Sequence, residues 1–192
     1  MYRKLGKSIF DLSLALFLGV LLSPLIIFLF IFASVDTQSF GIFKQLRIGR
    51  YGMPFTIFKI KTIHPDTRTI SLLGRFLRRS KLDELPQIFN ILKGEMSFVG
   101  PRPDIKGYYD TLSGEDRRIL SLKPGLTSEA GIKYCREKEI LENQNNPLVY
   151  NDTVIFPDKI RMNLKYLEQQ SFAYDLKIMI KTVLVLFRSW FD

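Results

Sequence analysis

The feature that most constrains the fold is a long apolar run near the N-terminus. From Leu12 to Val35 the chain has 24 consecutive residues without a charged side chain. As a continuous helix rising about 1.5 Å per residue, this run would extend about 36 Å, compared with about 30 Å for the hydrocarbon core of a bilayer. The apolar region of a cleaved signal peptide is shorter, about 7 to 15 residues. The run therefore predicts a helix inserted in a membrane.

Pro24 lies in the middle of this run, directly after Ser23. A proline inside a helix removes the hydrogen bond to the carbonyl of residue 20 and clashes with it, so a kink or break is expected. The hydroxyl of Ser23 can satisfy a carbonyl freed in this way. Cationic residues both precede and follow the run, so the positive-inside rule selects no orientation. Two structures remain open: a spanning helix that tolerates a proline, and a re-entrant helix whose ends lie on the same side.

The rest of the chain has the size of one domain and a positive charge. We divide the sequence into residues 1–35, the membrane segment, and residues 36–192, a single domain of ordinary length. The chain has 28 Lys and Arg against 19 Asp and Glu, a net charge of +9. This surplus suits anionic lipid, phosphorylated substrates or nucleic acid, and does not distinguish among them. The single Cys135 and single His64 exclude an intramolecular disulfide and a Cys/His zinc cluster, so any metal is expected to be a hard cation on carboxylates.

Local patterns predict an α+β domain. Residues 40–63 are rich in Phe, Ile and Thr around a glycine-containing turn at 49–52, which is typical of a β-hairpin. Residues 71–79 predict a short helix. Apolar residues at helical spacing over 82–92 predict a second helix of about three turns that ends at Gly94.

Two adjacent carboxylates, Asp83 and Glu84, begin this second helix. Pro86 is tolerated only near a helix start, so both acids belong at or just before the first turn, where free N–H groups favour anions. Capping of the helix would explain either acid alone. It explains less well why two acids adjoin a cluster of four cationic residues, Arg75, Arg78, Arg79 and Lys81. The pattern indicates a site that binds phosphate while a carboxylate attacks it.

The segment Gly100-Pro101-Arg102-Pro103 is predicted to be rigid. Both Gly100 and Arg102 precede a proline, which favours extended conformations for each. The guanidinium of Arg102 is therefore presented in a fixed position, which suits bidentate binding of phosphate. Taken alone, the segment is equally typical of a structural turn that carries a surface arginine.

Together these segments resemble the bacterial sugar transferase family, the small monotopic phosphoglycosyl transferases that start glycan assembly on a polyprenol carrier. The resemblance covers nearly the whole chain. It lies in residues 74–78, 82–87, 93–97 and 99–103, and extends to 45–49, Lys59, 123–127 and 174–178. It favours the re-entrant helix broken at Ser23 and Pro24. After Thr127 the chain departs from the commonest pattern of the family, so the resemblance does not identify the sugar.

The resemblance implies transfer of a sugar 1-phosphate from a UDP-sugar to polyprenyl (undecaprenyl) phosphate, with Mg²⁺, giving polyprenyl-diphosphate-sugar and UMP. By position, Asp83 would be the nucleophile and would carry a covalent phosphosugar. Glu84 would help to hold Mg²⁺ with Asp83, or would accept the proton of the acceptor. The substrate-binding residues implied are Arg78, Arg102, Lys59 and Pro101.

The resemblance also implies an α+β fold. We expect a single compact domain at the membrane surface, with the re-entrant N-terminal helix and interfacial amphipathic helices. The expected location is the cytoplasmic face of the bacterial inner membrane, and the expected partners are the UDP-sugar, polyprenyl phosphate and membrane lipids, but no nucleic acid.

Two other functions are open from the residues alone. A non-catalytic, membrane-tethered basic domain would bind anionic lipid or nucleic acid with an affinity that depends on salt and is indifferent to Asp83. A structural membrane scaffold would consume no nucleotide sugar. Release of UMP from a UDP-sugar separates both from the enzyme.

Overall fold

A 30-residue helix, α1 (Lys7–Asp36), contains the predicted membrane segment. The computed structural model describes residues 2–191, with the side chains of residue 4 and residues 189–191 left out. Among the described residues, α1 is the one helix long and apolar enough to cross a membrane, with a mean hydropathy of 2.9. The helical backbone continues through Pro24. The hydroxyl of Ser23 donates a hydrogen bond of 2.8 Å to the carbonyl of Val20, the carbonyl that Pro24 deprives of its partner.

One face of α1 packs into the domain and the other faces outward. Ala15 is fully buried and lies in the main core together with Ile88 and Ile91. Further along, Leu29 and Ala33 form a second cluster with residues of the hairpin and the next helix. The outward face exposes a continuous set of large apolar side chains that includes Leu16, Phe17, Val20, Leu21, Ile27 and Phe28. Helix α1 thus packs against the core of the domain on one face and exposes an apolar surface on the other.

The predicted hairpin is confirmed. Strands β1 (Ile42–Ile48) and β2 (Pro54–Ile60) pair antiparallel, with Ile42 opposite Ile60. The turn between them has positive φ angles at Tyr51 and Gly52. Ile57 and Ile60 of β2 are buried against the core, so the hairpin has one packed face.

A second, parallel pair of short strands holds the rigid Pro-Arg-Pro segment. Strands β3 (Ser97–Val99) and β4 (Gly125–Thr127) lie side by side in parallel register. Their ends approach so closely that a Cβ added at Gly125 would lie 2.1 Å from the backbone nitrogen of Gly100. Only glycine fits such a backbone approach. The two glycines therefore fix the path of the chain as it leaves β3 toward Arg102.

The predicted helices near the acid pair are partly confirmed. Helix α2 (Leu72–Arg79) begins at Ser71, whose hydroxyl accepts a hydrogen bond from the backbone N–H of Gly74. The three-turn helix over 82–92 is wrong in length, because the structure has a 3₁₀ turn at Leu82–Glu84 and then α3 (Gln87–Leu92). Pro86, which lacks an N–H, separates the two pieces.

Five more α-helices follow α3 in the part of the chain that the structure describes. They are α4 (Glu129–Lys133), α5 (Glu137–Glu142), α6 (Pro147–Tyr150), α7 (Phe156–Gln169) and α8 (Phe172–Phe191). Helix α8 buries Ile178 in the main core and exposes the apolar side chains of Ile180, Val183 and Leu184.

A buried polar cluster joins the two ends of the chain. The carboxylate of Asp175 on α8 is fully buried and accepts hydrogen bonds from Tyr2 Oη at 2.5 Å, Lys7 Nζ at 2.6 Å and Tyr166 Oη at 2.6 Å. Tyr166 also donates to the carbonyl of Val99 at the end of β3. The start of α1, α7 and α8 are thereby tied to the strand that leads to Arg102.

Candidate active site

The acid pair lies in the 3₁₀ turn between α2 and α3. Lys81, just before it, has a left-handed conformation with φ of 59°, which turns the chain sharply. Asp83 and Glu84 are each only 8% exposed. As predicted, both acids directly precede the helix, and Pro86 is the N-cap of α3.

Glu84 is held between two cations from separate elements. Its Oε1 accepts hydrogen bonds from Lys59 Nζ at 2.9 Å and from Arg102 Nη2 at 2.8 Å. Burial alone would favour the neutral acid, but the charges of Arg102 and Lys59 outweigh it and lower the pKa of Glu84 to about 2. Glu84 is therefore ionised at any physiological pH and fixes the positions of both cations.

Asp83 has the opposite electrostatic environment. Burial is the main cause that raises its pKa above the ordinary value, and the charge of Glu84 adds to it, while Lys59, Lys81 and Arg78 oppose the shift. Its Oδ1 is buried and has no hydrogen-bond partner among the described residues. A buried carboxylate oxygen without a hydrogen-bond partner requires an explanation, and a catalytic role or a bound ion is one.

The other predicted binding residues lie at different distances from this centre. Arg78 Nε donates a hydrogen bond of 2.8 Å to Thr62 Oγ1, and its charge acts on Asp83. Pro101 is buried, and its carbonyl accepts a hydrogen bond of 2.8 Å from the N–H of Gly125. The structure thus brings Lys59, Arg102 and Glu84 into direct contact, while a substrate contact of Pro101 stays a prediction.

A cavity of about 1000 Å³ adjoins the acid pair. Lys81, Glu84 and Arg102 line it with charged side chains, and Asp83 is not among the lining residues although its neighbours Leu82 and Glu84 are. Apolar side chains from α1 and α8 also line it, namely Leu18, Leu22, Met179, Val183 and Leu186. One cavity therefore connects a charged centre with the apolar helix of the N-terminus, an arrangement that suits a ligand with a phosphate head and an apolar tail.

Comparison with known proteins decides the family. A sequence profile described as Bacterial sugar transferase matches residues 2–189, almost the entire chain. The chain belongs to the bacterial sugar transferase family. It is an enzyme, a phosphoglycosyl transferase, since relatives named as sugar-phosphate transferases match it over most of its length.

Three relatives illustrate the range of the family. "Uncharacterized sugar transferase EpsL" of Bacillus subtilis (strain 168) is 33% identical over 92% of this chain and 85% of its own length. A "UDP-glucose:undecaprenyl-phosphate glucose-1-phosphate transferase" of Caulobacter vibrioides is 31% identical over 93% of this chain and 68% of its own. A protein with the same name in Escherichia coli (strain K12) is 30% identical over 94% of this chain, which spans 40% of that relative.

The acid pair of this sugar transferase has the carboxylate oxygens that a magnesium ion accepts as ligands. The described residues contain no group of three or more His, Cys, Asp or Glu side chains able to hold a metal ion. Mg²⁺ is usually bound by one or two carboxylates together with substrate phosphates, so a dedicated cage is not required. Asp83, with its unpartnered Oδ1, meets this requirement better than Glu84, whose Oε1 already serves two cations.

Part of the cavity wall of the sugar transferase was missed by sequence reasoning. Arg47 of β1, Glu137 of α5 and Lys159 of α7 all line the cavity. Arg47 lies within residues 45–49, one of the segments that resemble the family, so the sequence did contain a sign that it belongs to the site. Glu137 and Lys159 lie in the region where the chain departs from the common pattern, and no local motif links two positions 22 residues apart.

Proposed function

We propose that this enzyme transfers a sugar 1-phosphate from a UDP-sugar to polyprenyl phosphate and releases UMP, with Asp83 as the nucleophile. The observation that carries the proposal is the buried pair in which Glu84 bridges Lys59 and Arg102 while the neighbouring Asp83 keeps a buried oxygen without a partner. The names of the relatives, which specify a UDP-sugar donor and undecaprenyl phosphate as acceptor, support the same reaction.

The proposed reaction has two displacement steps. First, a carboxylate oxygen of Asp83 bonds to the sugar-bearing phosphorus, the bond from this phosphorus to the bridging oxygen breaks, and UMP leaves with the electron pair. Second, a phosphate oxygen of polyprenyl phosphate bonds to the same phosphorus, and the bond to Asp83 breaks. The carboxylate is regenerated and the product is polyprenyl-diphosphate-sugar. Covalent catalysis of this kind divides one difficult transfer into two easier steps.

The cations around the acid pair supply the charge stabilisation. Phosphoryl transfer depends mainly on positioning and on neutralising the phosphate oxygens. Lys59, Arg78 and Arg102 are suited to this role because they converge on the acid pair from β2, α2 and the segment after β3.

Glu84 is better suited to hold these cations than to act as a base. A carboxylate with a pKa of about 2 is a weak proton acceptor at neutral pH. Its contacts with Lys59 and Arg102 keep both groups in position before the donor binds. We therefore assign Glu84 as a positioning residue.

Magnesium completes the proposed site. When bound, Mg²⁺ would neutralise charge on the donor diphosphate. Asp83, whose Oδ1 has no hydrogen-bond partner among the described residues, would hold it together with the phosphates, and Glu84 would be the second carboxylate of the site.

The apolar wall of the cavity is proposed to receive the lipid acceptor. Its residues on α1 and α8 line the same cavity as Arg102, so a polyprenyl phosphate entering from the membrane would place its phosphate near Arg102. The donor is a cytoplasmic nucleotide, so the domain is proposed to face the cytoplasm. Ser23 and Pro24 would let α1 enter and leave the bilayer on that side.

The proposed reaction is tested by UMP release. Full-length protein in detergent is incubated with Mg²⁺, polyprenyl phosphate and a panel of UDP-sugars, and UMP and the lipid product are measured. We expect UMP and polyprenyl-diphosphate-sugar in equal amounts from at least one donor. A protein that binds anionic vesicles or nucleic acid in a salt-dependent way, but releases no UMP from any donor, is instead the non-catalytic basic domain.

The topology of α1 is tested by cysteine labelling. In a Cys135→Ser background, single cysteines are placed by Leu5→Cys and Phe40→Cys, because these side chains flank α1 and are 67% and 65% exposed. A re-entrant helix predicts that a membrane-impermeant thiol reagent labels both sites in inverted vesicles and neither in intact cells. Labelling of position 5 from outside intact cells would show that the helix spans the membrane.

The pH dependence of the first step is expected to report Asp83. Because Glu84 stays ionised down to about pH 2, loss of kcat/KM toward acid follows protonation of Asp83. The charge of Lys81 lowers the pKa of Asp83, so Lys81→Met should raise that pKa and move the acid limb to higher pH. Profiles of kcat/KM for the UDP-sugar measure this, and an acid limb that stays in place in the variant would contradict the assignment.

A further inference from the structure

An ion pair that the proposed chemistry does not use lies in the wall of the same cavity. Lys159 Nζ on α7 donates hydrogen bonds to both carboxylate oxygens of Glu137 on α5, at 2.7 and 2.8 Å. The two side chains are 20% and 32% exposed, and both residues line the cavity that Glu84 and Arg102 also line. The pair is therefore partly withdrawn from water and remains accessible to a ligand in the cavity.

Stability alone is a weak reason for this pair. Exposed ion pairs contribute little to stability, and partly buried pairs lose much of their attraction to the cost of desolvation. Here both partners face a cavity and not a packed core. The ring of Tyr134, which also lines the cavity, lies 5.8 Å from Lys159 Nζ. This wall thus combines a carboxylate, an ammonium group and an aromatic ring.

The pair has free hydrogen-bonding capacity and no net charge. A carboxylate offers about four lone-pair sites and an ammonium three N–H donors, so two bonds between them leave acceptors and a donor unused. Hydroxyl groups both donate and accept, and they match such a pair. Phosphates are served instead by Arg102, which lines the same cavity, and by Lys59, which shares the carboxylate of Glu84 with it.

Glu137 and Lys159 share the cavity with Arg102, the proposed phosphate-binding residue. The pKa of Arg102 is raised chiefly by Glu84, and Asp83 and Glu137 contribute in the same direction. A ligand whose diphosphate contacts Arg102 therefore has its other groups in a cavity whose wall includes the Glu137–Lys159 pair.

We propose that the Glu137–Lys159 pair binds hydroxyl groups of the donor sugar and restricts the enzyme to neutral sugars. This inference rests on the proposed function, because it concerns the sugar of the UDP-sugar. An acidic sugar would bring its carboxylate against Glu137, and Lys159 cannot compensate because Glu137 already neutralises it. A neutral sugar meets no such repulsion.

The test compares a neutral with an acidic donor of the same carbon skeleton. The ratio of kcat/KM for UDP-glucuronic acid to that for UDP-glucose is measured for the wild type, Glu137→Gln and Lys159→Gln. Glu137→Gln frees the ammonium of Lys159 to pair with the acidic sugar, so the ratio should rise about tenfold or more. Lys159→Gln leaves Glu137 unneutralised, so the ratio should fall.

The matched control is Glu139→Gln on the same helix. Glu139 is exposed and does not line the cavity. The ratio should stay at the wild-type value in this variant. A separate measurement of UDP binding should give the same Kd for wild type and Glu137→Gln, because the pair contacts the sugar and not the nucleotide.

Three results would overturn the inference. The first is an unchanged ratio in both pair variants, and the second is a wild type that uses the acidic donor as well as the neutral one. The third is a loss of UDP affinity in Glu137→Gln as large as the loss for the UDP-sugar. In each case UMP release by the wild type would leave the proposed function standing. No UMP release from any donor would instead overturn both.

Discussion

Asp83→Asn is expected to abolish UMP release and leave the fold intact. The asparagine keeps the volume of the side chain but removes the nucleophilic oxygen, and loss of a nucleophile lowers kcat by about 10⁴-fold or more. Because burial raises the pKa of Asp83, its ionised form is less stable in the folded state than in the unfolded chain, and this cost is present at pH values above the folded pKa. The melting temperature of the variant at neutral pH should therefore equal or exceed that of the wild type.

The control for this variant is Asp116→Asn, an exposed aspartate in the 3₁₀ turn Asp116–Ser121. It makes the same chemical change away from the cavity, and UMP release should remain normal. Near-normal UMP release from folded Asp83→Asn protein would remove Asp83 from the mechanism.

Glu84→Gln is expected to reduce both the rate and the stability. Without the carboxylate, Lys59 and Arg102 lose their common charged partner, and loss of such electrostatic positioning lowers kcat by about 10²- to 10³-fold. The pKa of Glu84 is depressed to about 2, so its ionisation stabilises the fold above the unfolded pKa of about 4.3, and this contribution is lost as pH falls toward 2. At neutral pH the contribution is about 3 kcal/mol.

Comparison of thermal unfolding separates the two acids. Glu84→Gln should lower the melting temperature at pH 7 whereas Asp83→Asn should not. Glu115→Gln, which changes an exposed glutamate paired with Arg118, should alter neither rate nor melting temperature measurably. A Glu84→Gln protein with wild-type stability and turnover would show that Glu84 does not hold the two cations.

The elements predicted from sequence are those with a local physical cause. The hairpin followed from a glycine turn between apolar strands, and the short helix predicted over 71–79 does begin after Ser71, which caps it. The helix over 82–92 was overestimated because apolar spacing continues across Pro86, although the missing N–H of Pro86 interrupts the helix there. The predicted position of the acid pair was correct because Pro86 is tolerated only near the start of a helix.

The contacts within the site were harder to predict because they depend on distant parts of the chain. Arg102 was a phosphate-binding candidate because of its rigid segment and Lys59 because of the family resemblance, but their shared contact with Glu84 joins a strand, a turn and a loop. The Glu137–Lys159 pair had no sequence pattern at all, since α5 and α7 meet only through tertiary packing around the cavity. Local sequence therefore located the acids, and the tertiary structure determines what surrounds them.

The most direct test of the mechanism is to withhold the lipid acceptor. Full-length enzyme is mixed with Mg²⁺ and the preferred UDP-sugar, and intact-mass spectrometry and UMP release are followed together. A covalent intermediate on Asp83 predicts release of about one UMP per enzyme molecule and a mass increase of one sugar phosphate. Peptide mapping should locate this added mass on Asp83, and the adduct should be lost when polyprenyl phosphate is added. Absence of any adduct, with UMP released only when both substrates are present and with intersecting initial-rate lines, would contradict a covalent intermediate on Asp83.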